Sequence, residues 1–224
     1  MTKAIVIAVD GPAASGKGTL AKRLAHHYGF AHLDSGSLYR LAARNLLRAR
    51  GDPNDETAAA TAARAIDPSG ALHLDLSARE IAETASIIAA FPRVRAELLD
   101  YQRRFAATPP GGAEGAVIDG RDIGTVVCPM AQAKLYIDAL PERRAHRRWL
   151  ELTVQGQPVC EGAILADIQE RDARDRRREI APLKPAPDAI LLDTSNLDID
   201  AAFAAALELV KPRIEEALAA RHRG

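Results

Sequence analysis

Apolar residues along this chain fall into two arrangements: short unbroken runs, and longer stretches where they recur every three or four positions. Five runs, 4–9, 30–33, 116–119, 134–138 and 189–193, are too short for helices. They are also too uniformly apolar for half-exposed strands, so they predict strands buried on both faces of a parallel sheet. Aspartates close or follow these runs at Asp10, Asp34, Asp119, Asp138 and Asp193. That sets a row of carboxylates along the C-terminal edge of the sheet, where ligands bind in open α/β folds. Helical periodicity predicts helices over 17–28, 37–50, 55–65, 78–90, 93–107, 141–155, 161–178 and 200–221. Their lengths suit right-handed crossovers between parallel strands. The second and third strands, however, are separated by about eighty residues, far more than one crossover needs. An inserted subdomain is expected there, with a further strand at 71–76. The segment 108–115, Thr-Pro-Pro-Gly-Gly-Ala-Glu-Gly, has the composition of a loop.

The chain has 224 residues, enough for one α/β domain with a small insertion. Its 30 basic and 30 acidic side chains cancel, so no global charge points to a nucleic-acid partner or an acidic tail. Cys128 and Cys160 lack metal-ligand spacing and histidine partners. Two free thiols in a reducing cytosol are the expected state, a disulfide the alternative. The N-terminal apolar run is too short for a signal-peptide core, and no stretch reaches the ~18 apolar residues of a membrane span. A cytoplasmic monomer acting on small molecules, with no membrane and no nucleic acid, is the expectation.

Chemistry enters directly after the first strand. Residues 11–19 read Gly11-Pro12-Ala13-Ala14-Ser15-Gly16-Lys17-Gly18-Thr19, a G-x-x-x-x-G-K signature placed where a strand ends and a helix begins. The glycines permit backbone conformations in which successive N–H groups curl around a phosphate, and the following helix adds its positive end. Lys17 reaches the outer phosphates. A glycine turn before an ordinary helix is the bland alternative, but the flanking strand and helix favour a site for a nucleoside triphosphate. The usual motif continues with Ser or Thr, whose hydroxyl meets magnesium. Here Gly18 intervenes and the hydroxyl arrives at Thr19, a variant that resembles the loop of nucleoside monophosphate kinases.

Three further segments are candidates. Asp34-Ser35-Gly36-Ser37-Leu38-Tyr39-Arg40 follows the second strand; it reads either as an anion site or as an N-cap followed by a solvated arginine. Asp119-Gly120-Arg121-Asp122-Ile123-Gly124 follows the third strand. There Asp119 suits magnesium, and Arg121 could grip a phosphate bidentately unless it pairs with its neighbouring aspartate. Arginines also cluster at 143–148 and 171–178, where positions 171, 174, 175 and 178 share a helix face. Such a helix, bounded by Ala181-Pro182-Leu183 and Pro185, reads as a lid over phosphates, or else as a salt-bridged surface helix. The six histidines suggest no metal site.

Taken in order, these segments resemble the bacterial cytidylate kinases. Ala85-Ser86 leading to Ala90-Phe91-Pro92-Arg93-Val94-Arg95, and Glu170-Arg171-Asp172-Ala173-Arg174-Asp175 through Ala181-Pro182-Leu183, belong to the same pattern. The match covers nearly the whole chain. Phe-Pro-Arg-Val-Arg and Asp-Gly-Arg-Asp-Ile-Gly-Thr are its narrowest parts. The resemblance implies a P-loop kinase three-layer sandwich with a five-stranded parallel sheet, a shortened acceptor-binding insert and an Arg-rich helical lid. It implies one kinase domain with core 1–54, 108–157 and 186–224, insert 55–107 and lid 158–185. The implied reaction is ATP-dependent phosphorylation of CMP and dCMP, with Mg2+ accompanying ATP. Lys17, Arg121, Arg174 and Arg178 are then the catalytic charges, and residues 11–19 hold ATP. Ser35, Arg40 and Arg121 hold the acceptor phosphate, while Ser86, Arg95 and Asp122 read the cytosine edge. Arg171 and Asp175 contact the pentose, with Arg178 beside them. Thr19 and Asp119 reach magnesium chiefly through water. Family members usually carry a longer insert before Ala85-Ser86, so the base-reading positions are carried over less directly than the loop. A kinase for UMP, AMP or shikimate is the neighbouring reading, and a nucleotide-binding switch is the reading from another class.

Overall fold

Each of the five apolar runs forms a strand. β1 (Ile5–Asp10), β2 (Ala31–Asp34), β3 (Gly115–Gly120), β4 (Ala133–Asp138) and β5 (Ile190–Asp193) make one sheet in the order β2-β3-β1-β4-β5. The structure is a computed structural model describing residues 4–68, 76 and 78–222. β1 lies parallel to β3 on one side and to β4 on the other, and β4 lies parallel to β5. Every residue of β1 and β3 is buried, which is why these runs are continuous rather than alternating. β5 alternates between half-buried and exposed, as the last strand of the sheet.

Two compact units divide the chain, Met1–His32 with Ala106–Gly224, and Leu33–Phe105. In the first, α1 (Lys17–Tyr28) buries Leu20, Ala21, Leu24 and Ala25, a stripe repeating every four residues. These side chains share a core with Ile7, Val9, Leu135 and Ile137 of the sheet and with Val210 and Ile214 of α8 (Ile199–His222). Each large aliphatic side chain so buried contributes roughly 1.5–3 kcal/mol. α1 ends on Gly29, whose left-handed φ of 65° closes the last turn. α6 (Pro141–Val154) and α7 (Glu161–Arg177) form a smaller cluster through Ala145, Leu152, Ile164 and Ile168.

The unit Leu33–Phe105 has a core of its own. α2 (Ser35–Arg48) opens on Asp34, whose carboxylate accepts from the Ser37 N–H at 3.2 Å. α3 (Glu56–Arg64) opens on Asp55, which accepts from the N–H groups of Thr57 and Ala58 at 2.8 and 3.1 Å. Caps of this kind are worth about 1 kcal/mol each. Buried Ala59, Ala60, Ala62 and Ala63 let α3 lie close against Leu38, Ala42 and Leu46 of α2. Ile88 of α4 (Arg79–Ile88) and Val94 and Leu98 of α5 (Pro92–Ala107) complete that core.

Predicted and observed elements agree to within two residues at most ends. Two places differ. The expected loop 108–115 holds a 3-10 turn at Pro110–Gly112, and its last residue already begins β3. After β3, Ile123–Val127 winds into a π turn that periodicity over five residues does not reveal. The strand expected at 71–76 falls, apart from Leu76, outside the described residues.

Candidate active site

The loop after β1 adopts the strained shape its glycines allow. Gly11 has φ 154°, and a Cβ there would sit 2.1 Å from the Ile137 carbonyl oxygen, so no side chain fits. Ala14 and Gly16 are left-handed, with φ of 56° and 86°. Gly16 is the N-cap of α1, and no side chain caps that helix, so its positive end faces the loop uncovered by a carboxylate or hydroxyl. Lys17 Nζ donates to the Pro12 carbonyl at 3.2 Å, folded back over the same turn. Ser15 is 1% exposed, and its Oγ has no hydrogen-bond partner. Gly18 and Thr19 stand in the first turn of α1, Thr19 on its exposed side. The loop is held from behind by Thr194, whose hydroxyl donates to the Ser15 carbonyl at 3.2 Å, and by Arg144, which donates to the Ala13 carbonyl at 3.1 Å. A loop of this shape, with a lysine and an uncapped helix end, is suited to cradling a phosphate.

Two strand-end carboxylates stand beside it. Asp119 closes β3's apolar core and is 3% exposed. Its Oδ2 lies 2.9 Å from His32 Nε2, and its Oδ1 lies 3.7 Å from where a Cβ on Gly18 would be. Asp10, at the end of β1, accepts from the N–H groups of Ile123 and Gly124, both at 2.8 Å. Burial pushes the Asp10 carboxyl up to about 7, even though the two backbone donors pull the other way. Through these bonds β1 anchors the π turn, and with it the Asp119–Asp122 loop. Asp122 is 5% exposed and caps that turn, its carbonyl accepting from Val126 and Val127.

Arg121, Asp175 and Arg178 come together. Arg121 Nε donates to Asp175 Oδ2 at 3.0 Å, and Arg178 donates to Asp175 Oδ1 at 2.5 Å. Asp175 is 1% exposed. Burial alone would raise its carboxyl, but the charges of Arg121, Arg178 and Arg171 outweigh it and hold the group below its ordinary value. Arg171, four residues before Asp175, adds its charge to the arrangement. Arg121, on a different element, and Arg178, three residues on, both donate to Asp175. Arg174 points elsewhere, donating to Glu170 at 2.7 Å in an exposed pair.

The remaining predicted positions lie in the unit Leu33–Phe105. Ser35 begins α2 and is buried. Arg40, one turn on, donates to the Asp34 carboxylate. Gly36 makes that approach feasible, since a Cβ there would be 3.2 Å from the Arg40 guanidinium. Ser86 is buried on α4. Arg95 of α5 donates to the Ala89 carbonyl at 3.3 Å, just past the end of α4, and its guanidinium lies 5.9 Å from the Tyr39 ring centre.

Four residues in this machinery carry no sequence signal of their task. Asp10 shows only as one strand-end aspartate among five, and His32 as a polar residue in a short run. Arg144 is one arginine in a cluster, and Thr194 is an ordinary residue after a strand. Only the register of β1, β3 and β4 and the approach of α6 reveal their partners.

Comparison with known proteins places the chain. The cytidylate kinase family model matches residues 7–212. The cytidylate kinase of Rhodopseudomonas palustris is 54% identical over 207 residues, covering 92% of this chain and 96% of that one. That of Paramagnetospirillum magneticum is 57% identical over 205 residues, covering 92% and 97%. That of Bradyrhizobium diazoefficiens is 52% identical over 220 residues, covering 98% and 100%. Among solved structures, an uncharacterised protein from Eubacterium ventriosum superposes with a TM-score of 0.53 at 15% identity, covering 92% of this chain and 98% of its own. That likeness concerns the fold alone. A strained glycine loop between β1 and α1, in a chain matched over 92–98% of its length by such relatives, leads to one assignment: the chain belongs to the cytidylate kinase family.

Proposed function

We propose that this chain transfers the γ-phosphoryl group of ATP to CMP and dCMP, giving CDP and dCDP. The observation that carries the reading is the loop 11–19, with its left-handed turns, uncapped helix end and Lys17, in a member of the cytidylate kinase family. Phosphoryl transfer needs positioning and charge neutralisation more than covalent chemistry from the protein. The loop amides and Lys17 hold the ATP phosphates. Arg121 and Arg178, gathered around Asp175, and Arg174 on the same helix supply positive charge to the transferring group. The acceptor phosphate oxygen is already anionic, so no general base is required.

Acceptor binding draws on Ser35, Arg40 and Arg121 for the phosphate. Ser86, Arg95 and Asp122 meet the base: cytosine offers an amine donor with carbonyl and ring-nitrogen acceptors, which a carboxylate, hydroxyl and guanidinium can match. Arg171 and Asp175 contact the pentose. Within the domain, 158–185 acts as lid and 55–107 as acceptor insert, on a core of 1–54, 108–157 and 186–224. Magnesium fits the residues present. Among the described residues no cluster of three His, Cys, Asp or Glu side chains could hold a metal by itself. The buried carboxylate of Asp119, beside Gly18, suits an ion carried mainly by phosphates and water. Such an ion, when bound, neutralises the β and γ oxygens. Asp119 and Thr19 are the side chains that reach toward it. We further propose that the enzyme works as a cytoplasmic monomer without a nucleic-acid partner. Balanced charge supports the last point, and no helix among the described residues is long and apolar enough to cross a membrane.

An ADP-release assay across CMP, dCMP, UMP, AMP and dTMP tests the reading. Turnover strongly favouring the two cytidine nucleotides is expected. Preference for another acceptor would reassign the base-reading residues, and slow ATP hydrolysis unaffected by any acceptor would point to a switch instead.

A further inference from the structure

Arg144 heads the large side chains that the fold buries almost completely, at 1% exposed. A guanidinium does not give up its proton, so in such a place it must be paired and fully bonded. Its fork meets three partners. Nε donates to the Ala139 carbonyl at 2.8 Å, one terminal nitrogen to the Ala13 carbonyl at 3.1 Å, and the other to Asp172 Oδ2 at 2.6 Å. A single arginine of α6 therefore grips the phosphate loop on one side and α7 on the other.

The bond to Ala13 orients a peptide plane. In a trans peptide the carbonyl and the next N–H point in opposite directions. Drawing the Ala13 carbonyl toward Arg144 turns the Ala14 N–H to the opposite side. Ala14 itself is left-handed, with φ 56°, a conformation that alanine holds only where its surroundings impose it. The same alanine packs on the cluster of Ala145, Leu152, Ile164 and Ile168. So the strained turn of the loop is fastened twice to the α6–α7 pair, by a hydrogen bond and by apolar contact.

We propose that Arg144 is a positioning residue: it keeps the phosphate loop in its anion-binding shape, and its ion pair with Asp172 makes that shape depend on how α7 is seated. The inference rests on the reading that residues 11–19 hold the ATP phosphates. It implies that ATP binding senses Asp172, a residue of α7 whose hydrogen bond is to Arg144. It also makes the two helices a relay between the arginines at 171–178 and the loop.

Calorimetric titration of ATP with magnesium, alongside thermal unfolding, tests this on wild type, Arg144→Lys, Asp172→Asn and the double variant. Lysine keeps the charge and loses the fork. Arg144→Lys should weaken ATP binding about tenfold, within the span usual for coupled sites. Asp172→Asn should weaken it measurably, and the double variant should bind no worse than Arg144→Lys alone, because both break one connection. Lower melting temperatures with unchanged ATP affinity would overturn the proposal, as would losses that simply multiply. Should Arg144→Lys not fold, Asp172→Asn decides by itself, wild-type affinity counting against the relay and weaker binding for it. A wild-type protein that does not bind ATP would instead overturn the assignment of the loop.

Discussion

At the scale of single residues, the site is built from side chains whose charge is set by what surrounds them. Lys17 folds back over its own loop, and on the proposed reading it follows negative charge as that moves between phosphates. Lys17→Ala should leave the melting temperature nearly unchanged. It should lower turnover by two orders of magnitude or more, on the scale of about 2.7–4 kcal/mol for one lost electrostatic contact in the transition state. Near-normal turnover in that variant would remove the loop from the chemistry. The turn that contains Lys17 was legible because its shape depends on local spacing alone. Asp175 was legible only in part. Its helix face placed Arg178 beside it, whereas the hydrogen bond from Arg121, which is distant in sequence, carried no local signal. The approach of Arg121 to that carboxylate is a tertiary fact, and no spacing rule encodes it.

Elements determine where those side chains stand. The strand pattern was recoverable because strands covered on both faces need continuous apolar runs, and the helices because their stripes repeat. The π turn at Ile123–Val127 was not, since it exists through a long-range partnership: two of its N–H groups are taken by Asp10, more than a hundred positions earlier. The burial of Asp10 there has a pH signature. The Asp10 carboxyl is raised from 3.8 to about 7 in the folded protein. A raised folded value means that stability from Asp10 is fully present below pH 3.8 and is lost as pH rises through about 7. Asp10→Asn does not titrate. Chemical denaturation across that interval should show wild type losing stability relative to Asp10→Asn as pH rises, by up to about 4 kcal/mol. A difference independent of pH would show that Asp10 titrates as an ordinary carboxylate.

Over the whole molecule, the order of strands in the sheet differs from their order in the chain, and this has a consequence in time. β1 must wait for β3: Ile5 pairs with Gly115, and the entire unit Leu33–Phe105 is synthesised between them. That unit has its own apolar cluster, built from contacts within one continuous stretch. Contacts of short sequence separation form early, because little chain entropy is lost in closing them. Pulsed hydrogen exchange during refolding should therefore protect amides of α2, α3 and α4 before those of β1 and β3. Protection appearing first in β1 would reverse that order. On a ribosome adding about 5–20 residues per second, the run Ile5-Val6-Ile7-Ala8-Val9 stays without its neighbour for roughly 5–20 s. For that interval a strand buried along its whole length in the finished protein is exposed apolar chain, and its safety depends on how soon the chain reaches residue 120.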